Sequence, residues 1–390
     1  MCCGHNKISS CVYMLRYHSV QPSNVKATYT EFDLVDFEIT FENRKMVANS
    51  LRVEGDVGFF TDNAAATRLT DQEVRIDQFA GAHSLFESLT TEVQTMGVLE
   101  NFQEYPRYVR MAAEATMDKA DLLNSENVCE LRTASQDWNK SLLRGAALMN
   151  GDDNVAGADR FDLDFSLKPM IALNRVSSQA GGQPSISYTK TGAIRLSVKM
   201  ARNANVMYGS GNAAAFSYIV KNLRLCFTSV PEDGKTDKLS MRSTLNIKQS
   251  ISSSFANVST KVPAVCTAVS CSFQQQSREG AIAYNSAQTE MLPDIQELQF
   301  IFNDAQDQYV TYQIRDRGEI LDRYIASFAN TGHNSAQLGK LQGNSGFGIG
   351  LAMGAAVDFS NQKFNVQITS GSSSGNPYIM YLYFHSILSM

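Results

Sequence analysis

Few residues in this chain combine the types and spacing that chemistry requires. The string Met149-Asn-Gly-Asp-Asp-Asn154 places Asp152 and Asp153 after Gly151. Such a pair serves a polymerase-type metal site only on a tight hairpin between apolar strands, with another aspartate on a neighbouring strand. Here it runs into Val155-Ala-Gly157 and reads as a loop. Asp162 and Asp164 alternate with Phe161, Leu163 and Phe165, so both carboxylates share one strand face. That arrangement can hold a divalent cation, and it is equally the pattern of a solvated face. Gly346, Gly348, Gly350 and Gly354 match neither phosphate-loop spacing, and read instead as sites where another backbone packs close. Cys2, Cys3 and His5 offer three metal ligands on a chain end, without a fourth or a supporting shell. His18, His83, His333 and His385 fall in no ligand spacing, and no serine or cysteine sits in a nucleophile elbow. The expectation is a protein with no catalytic residues, no cofactor, no metal and no small-molecule substrate.

Charge sharpens that reading. The chain has 390 residues and a net charge of −5, with 19% charged residues. Residues 1–30 hold Lys7, Arg16 and Lys26 and no acid, whereas residues 31–160 hold 12 Lys and Arg against 24 Asp and Glu. A nucleic-acid-binding domain normally shows a basic excess, and only the first segment has one. No run of about 18 apolar residues marks a membrane-spanning helix. Met1 to Val20 lacks the apolar core of a secretory signal, so the sequons at Asn139 and Asn257 are expected to stay unmodified. Seven cysteines, an odd number at irregular spacings, predict reduced thiols rather than a disulfide framework.

The elements that carry these residues are strands. Phe37, Ile39 and Phe41 alternate with polar neighbours, as do Phe161 to Leu167, Ile194 to Val198 and Leu223 to Phe227. Val265 to Phe273, Ile295 to Phe302, Phe364 to Ile368 and Tyr378 to Ile387 follow in the second half. One buried and one solvated face per strand is the antiparallel signature. Helical spacing predicts helices over Tyr105–Leu123 and Gly318–Phe328, and a shorter one over Gln136–Leu148.

Each half shows the same grammar: strand pairs, a helix, then strands ending in an aromatic closing strand. This internal duplication predicts a mainly β chain divided into an N-terminal arm (1–30), a first domain (31–232) and a second (233–390). The acid-free arm, with Lys7, Arg16 and Lys26, is of a composition that can contact nucleic acid or anionic lipid headgroups. The competing reading makes Val12 to Leu15 an edge strand of the first domain.

Several strings carry a resemblance. They are Asp159-Arg-Phe-Asp-Leu-Asp-Phe-Ser-Leu-Lys-Pro-Met-Ile-Ala-Leu-Asn174, Gly81-Ala-His-Ser-Leu-Phe-Glu-Ser-Leu-Thr90 and Val98-Leu-Glu-Asn-Phe-Gln-Glu-Tyr-Pro106. The closing Val357 to Thr369 and Tyr378 to Ser386 join them. Together they resemble the double jelly-roll major capsid proteins of non-tailed icosahedral DNA viruses, the adenovirus-like lineage with polinton-like, virophage and giant-virus-related relatives. The resemblance covers most of residues 30–390. It implies two consecutive eight-stranded antiparallel jelly rolls with a few short inserted helices. It also implies homotrimeric, pseudo-hexagonal capsomers tiling a shell around the genome. Partners would be further copies of the chain, minor capsid and vertex proteins, and an internal membrane or the genome. Localisation would be the virion, assembled inside the host cell without secretion. The alternative class is another β-sandwich binding protein: a spike, vertex or lectin-like attachment protein. The single tryptophan, Trp138, and the lack of aspartate-rich calcium loops weigh against a lectin. An enzyme of the cupin type would need a His/Glu metal set on inward-facing strands, which the sequence lacks.

Overall fold

The computed structural model describes residues 15–60, 74–117, 121, 129–132, 163–179, 181–209, 216–234, 238–251, 255–261, 265–290, 295–302, 308–313, 317–329, 348–359, 363–370 and 377–389. The first half holds strands β1 (Arg16–Val20), β2 (Leu34–Ile39), β3 (Arg44–Val47), β4 (Arg52–Phe60), β5 (Phe86–Val93) and β6 (Gly97–Phe102). Helix α1 (Tyr105–Thr116) follows, then β7 (Leu163–Leu167), β8 (Ile194–Met200) and β9 (Ser217–Pro231). The second half holds β10 (Leu239–Ile251), β11 (Phe255–Lys261), β12 (Val265–Gln275), β13 (Ile295–Phe302) and β14 (Gln308–Gln313). Helix α2 (Arg317–Ala329), β15 (Ile349–Asp358), β16 (Lys363–Ser370) and β17 (Tyr378–Ser389) complete it.

Strand pairing shows two jelly rolls of one design. In the first, β3 and β4 both pair with β9 and act as one bent strand, giving a sheet β1-β9-β3/β4-β7 that faces a sheet β2-β8-β5-β6. The second repeats the order: β10-β17-β12-β15 faces β11-β16-β13-β14. Pairing within each roll is antiparallel throughout these strands, as the alternating patterns require. Val35, Phe37 and Ile39 of β2, Leu196 and Val198 of β8, and Val53 and Val57 of β4 fill the first core. Leu298, Phe300, Phe364, Val366, Leu382 and Phe384 fill the second. Burying one face of each sheet against the other, at about 25 cal/mol per Å² of apolar area, contributes most to holding such sandwiches together.

The rolls are continuous. β6 of the first lies parallel to β10 of the second, with Leu245 opposite Asn101, and Val176–Ser178 pairs antiparallel with the start of β10. The result is one nine-stranded sheet that spans both rolls.

Three expectations are revised. The predicted arm over residues 1–30 does not hold as a separate unit from Arg16 onward, because Arg16–Val20 is a strand of the first roll. His18 explains the docking: its ring stacks on Phe227 at 4.5 Å and its Nε2 lies 2.7 Å from Ser229 Oγ. Tyr29 then exchanges backbone hydrogen bonds with Val220 at 2.8 and 2.9 Å. Second, the helix expected over 105–123 ends at Thr116, where Met117 turns extended. Third, the helix expected from Gly318 begins at Arg317 and runs to Ala329. The expected helix over 136–148 and Val12 to Met14 lie outside the described residues.

Candidate functional site

The residues that distinguish this molecule lie where the first roll meets the second. Helix α1 starts with Pro106 in its first turn, where a missing N–H costs nothing. Every residue from Tyr105 to Thr116 is buried, including Arg107, Arg110 and Glu114. An ordinary surface helix keeps such charges in water; here the second roll covers them.

Arg107 clamps the rolls together. Its guanidinium donates to Gln274 Oε1 at 2.6 Å, to the Gln288 carbonyl at 2.5 Å and to the Ser286 carbonyl, and lies 4.1 Å from the centre of the Tyr381 ring. All four partners belong to the second half. Arg110 donates to Glu114 at 2.7 Å and pairs with Asp77. Asp77 also accepts from the Phe79 and Ala80 backbone N–H groups and from Asn285, and Glu114 accepts from Thr289. Burial pushes the Asp77 carboxyl up, but Arg110 and these donors outweigh it and hold it below the ordinary range. For Glu114 burial wins and the carboxyl is raised.

A further buried charge sits beside the β6–β10 contact. Glu100 accepts from the Ala172 N–H at 2.6 Å and from Thr91 at 3.2 Å, and pairs with Arg175 at 3.2 Å. Arg175 also donates to Tyr108 Oη at 2.6 Å and to Thr244 of the second roll at 3.2 Å. Burial raises Glu100 to about 7, despite Arg175.

Over the second roll, helix α2 lies on the outer face of β10-β17-β12-β15. Ser270 Oγ is 2.7 Å from His385 Nε2 and 2.8 Å from Ser327 Oγ. A serine–imidazole pair is the opening of nucleophilic catalysis. These three residues are each at most 1% exposed and are roofed by Tyr108 and Phe328, so no substrate reaches them. The pair pins α2 to the sheet. Gly348 and Gly350 serve the same contact: a Cβ at Gly348 would meet the Cys271 carbonyl and the Tyr324 ring, and one at Gly350 would meet Ser327. Close backbone approach, not phosphate binding, is their role.

Among the described residues, no helix covers the corresponding face of the first roll, on β1-β9-β4-β7. Glu54 pairs with Arg224 at 2.9 Å and accepts from Ser166 at 3.1 Å, and Asn222 donates to Asp56 at 2.6 Å. Asp164 is exposed directly across from Asp56, whose carboxyl raises it above the ordinary range.

The residues singled out by sequence scatter over this frame. Arg16 is exposed at the start of β1. Lys26 is paired with Asp33 at 2.5 Å, so its charge is locally compensated. Lys7 lies outside the described residues, as do Asp152, Asp153, Asp162, Cys2, Cys3, His5 and His333. No group of three metal-ligating side chains occurs among the described residues. Cys129, Cys226, Cys266 and Cys271 are free thiols. Arg107, Arg110 and Glu114 went unnoticed in the sequence because their spacing of three and four residues imitates a solvated helix stripe.

Solved structures share this fold. The Faustovirus major capsid protein superposes with a TM-score of 0.55 at 10% identity, over 96% of this chain and 90% of that one. The Sputnik virophage structure gives 0.54 at 10% identity, over 96% and 86%. The PBCV-1 virus capsid gives 0.52 at 9% identity, over 97% and 95%. No protein-family model and no curated protein sequence matches the chain. The fold is therefore the double jelly roll found in those viral capsids, carried by a sequence only about one tenth identical to theirs.

Proposed function

We propose that the chain is a structural viral major capsid protein, and that it forms homotrimeric, pseudo-hexagonal capsomers tiling an icosahedral shell. One observation carries the reading: two rolls of identical strand order are joined by one continuous sheet and by buried charges on α1. Two similar rolls per chain, taken three times, give near-sixfold contacts from threefold symmetry. The likeness in fold to the viral capsids supports it. The proposed division runs from the first roll to the second across the turn between β9 and β10. Minor capsid and vertex proteins would be the remaining partners, the acid-free N-terminal segment with Lys7 would face the interior, and no catalysis is required.

Native mass spectrometry and negative-stain microscopy of the purified chain test this. Trimers with a hexagonal outline are expected. Monomers alone, across micromolar concentrations in mild buffer, would refute the proposal.

A further inference from the structure

We infer that β1 is an acid-released strap: a proton taken up by His18 detaches Arg16–Val20 from β9 and frees the chain that precedes it. The release belongs to the single chain and goes beyond the capsid reading. Among the described residues β1 pairs with β9 alone, from Arg16 opposite Ser229 to Val20 opposite Leu225. A ladder of five residues on one side places a strand at the low end of local stability. Its side chains add few anchors. Leu15, Arg16, Tyr17 and Ser19 are exposed, and only His18 and Val20 are half-buried. Tyr17 Oη reaches Glu54 at 3.4 Å, at the surface. The His18 ring lies flat on Phe227, with 1° between the planes, and is the main polar anchor of the strand.

The hydrogen bonds around that ring require its neutral form. Ser229 Oγ receives the Arg44 Nε–H at 2.6 Å, and Arg44 also donates to the Ser229 carbonyl at 3.0 Å. A guanidinium offers no acceptor, so the serine's own hydrogen is left for His18 Nε2, 2.7 Å away. Nε2 accepts it only while unprotonated. A proton there sets two donors on one oxygen and displaces the hydroxyl hydrogen. It also adds a cation among cations. The charged groups acting on the ring are Arg16 on its own strand and Arg44 on β3, and β9 faces it with the uncharged Phe227 and Ser229. Burial, then Arg16 and then Arg44, push the imidazole below its ordinary value near 6.5. Docked β1 therefore takes up the proton less readily than released β1. Docking is at full strength above 6.5 and weakens as pH falls through the depressed value. Release bares the Phe227 ring and opens the edge of β9 from Leu225 to Ser229.

Hydrogen exchange of the full chain, read by mass spectrometry at about pH 7.5 and about pH 5, brackets the histidine range. Protection is normalised at each pH to the exchange of the unfolded chain. Peptides covering residues 15–20 are expected to lose protection roughly fivefold at the lower pH, the scale of one net hydrogen bond. Peptides covering β8 are expected to keep theirs. His18→Gln retains an acceptor for Ser229 and takes up no proton, so residues 15–20 are expected to stay protected at both pH values. His18→Lys carries the charge permanently and is expected to expose residues 15–20 at both, with β8 still protected. Equal protection of the wild-type strand at the two pH values overturns the inference. So does an acid-induced loss that persists unchanged in His18→Gln, or one shared by β8, which marks general acid unfolding.

Discussion

The same sheet occurs twice in this molecule with opposite outer faces. On the second roll, β17 is buried without a break from Ile379 to Ser386, and its outward side chains are Tyr381, Tyr383 and His385. On the first roll, the equivalent strand β9 alternates, and its neighbourhood presents Arg224, Glu54, Asp56 and Asp164. Topology does not set this difference, because the strand order is shared. What sets it is the cover. The second roll's face is covered within the chain and never meets water after folding, so aromatic rings and shared hydroxyls suffice there. The first roll's face meets water within the described structure, and it keeps charges there. A duplicated fold thus records in its side chains which contacts are made within the chain.

The strongest way to break the comparison is to remove a clamp from the covered face. Arg107→Ala leaves Gln274 Oε1 and two backbone carbonyls without their donor and strips the cation from Tyr381. Each unmade buried hydrogen bond costs roughly 1 kcal/mol or more, so a loss of about 3–4 kcal/mol is expected in urea unfolding. Arg224→Ala, which breaks the exposed pair with Glu54, is expected to cost less than about 1 kcal/mol. Equal losses in the two variants would show that cover does not distinguish the faces.

This contrast also explains what the sequence could reveal. Alternation in β2, β8 and β16 was legible because one face of each meets a core and the other meets water. β17 was legible as a strand from its aromatic run, but its burial on both faces was not. Arg107, Arg110 and Glu114 misled for the same reason: helical spacing gives a stripe, and only the second roll decides whether water or protein lies against it. The segment 16–20 misled through composition. An acid-free stretch suggests an arm, yet His18 and Val20 point into the roll and Asp33, just beyond it, neutralises Lys26.

Two buried carboxylates sharpen the comparison through pH. Glu100, at the junction, titrates at about 7 because burial outweighs Arg175. Glu130 is also pushed up by burial, but Arg132 and His83 beside it prevail and hold it at about 2. The signs are opposite. Between the ordinary carboxyl value near 4.5 and about 7, folded Glu100 keeps a proton that the unfolded chain has lost, so stability falls as pH rises through that window. Glu130 contributes stability that is complete above 4.5 and is lost as pH falls from 4.5 towards 2. Each span corresponds to roughly 3 kcal/mol. Urea melts from about pH 2.5 to 8 should show that Glu100→Gln flattens the upper window and Glu130→Gln the lower one. A Glu100→Gln variant with the wild-type slope between pH 4.5 and 7 would contradict the assignment.

The smallest effect is expected on the open face. Asp164 is exposed and stands directly across β4 from Asp56, and the second carboxylate raises its pKa above the ordinary range. Like charges opposite one another on a sheet destabilise it, but solvent and salt screen exposed pairs strongly. Asp164→Asn removes the repulsion while keeping shape and hydrogen-bonding capacity. It is expected to leave the monomer's stability unchanged or raised by no more than about 0.5 kcal/mol at pH 7, with the gain shrinking as salt is added. Unfolding curves at about 0.02 and 0.5 M salt measure this. A loss above about 1 kcal/mol would mean that an attractive partner holds Asp164. The first roll's outer face would then be tied down within the chain just as the second's is, and the contrast between the two faces would fail.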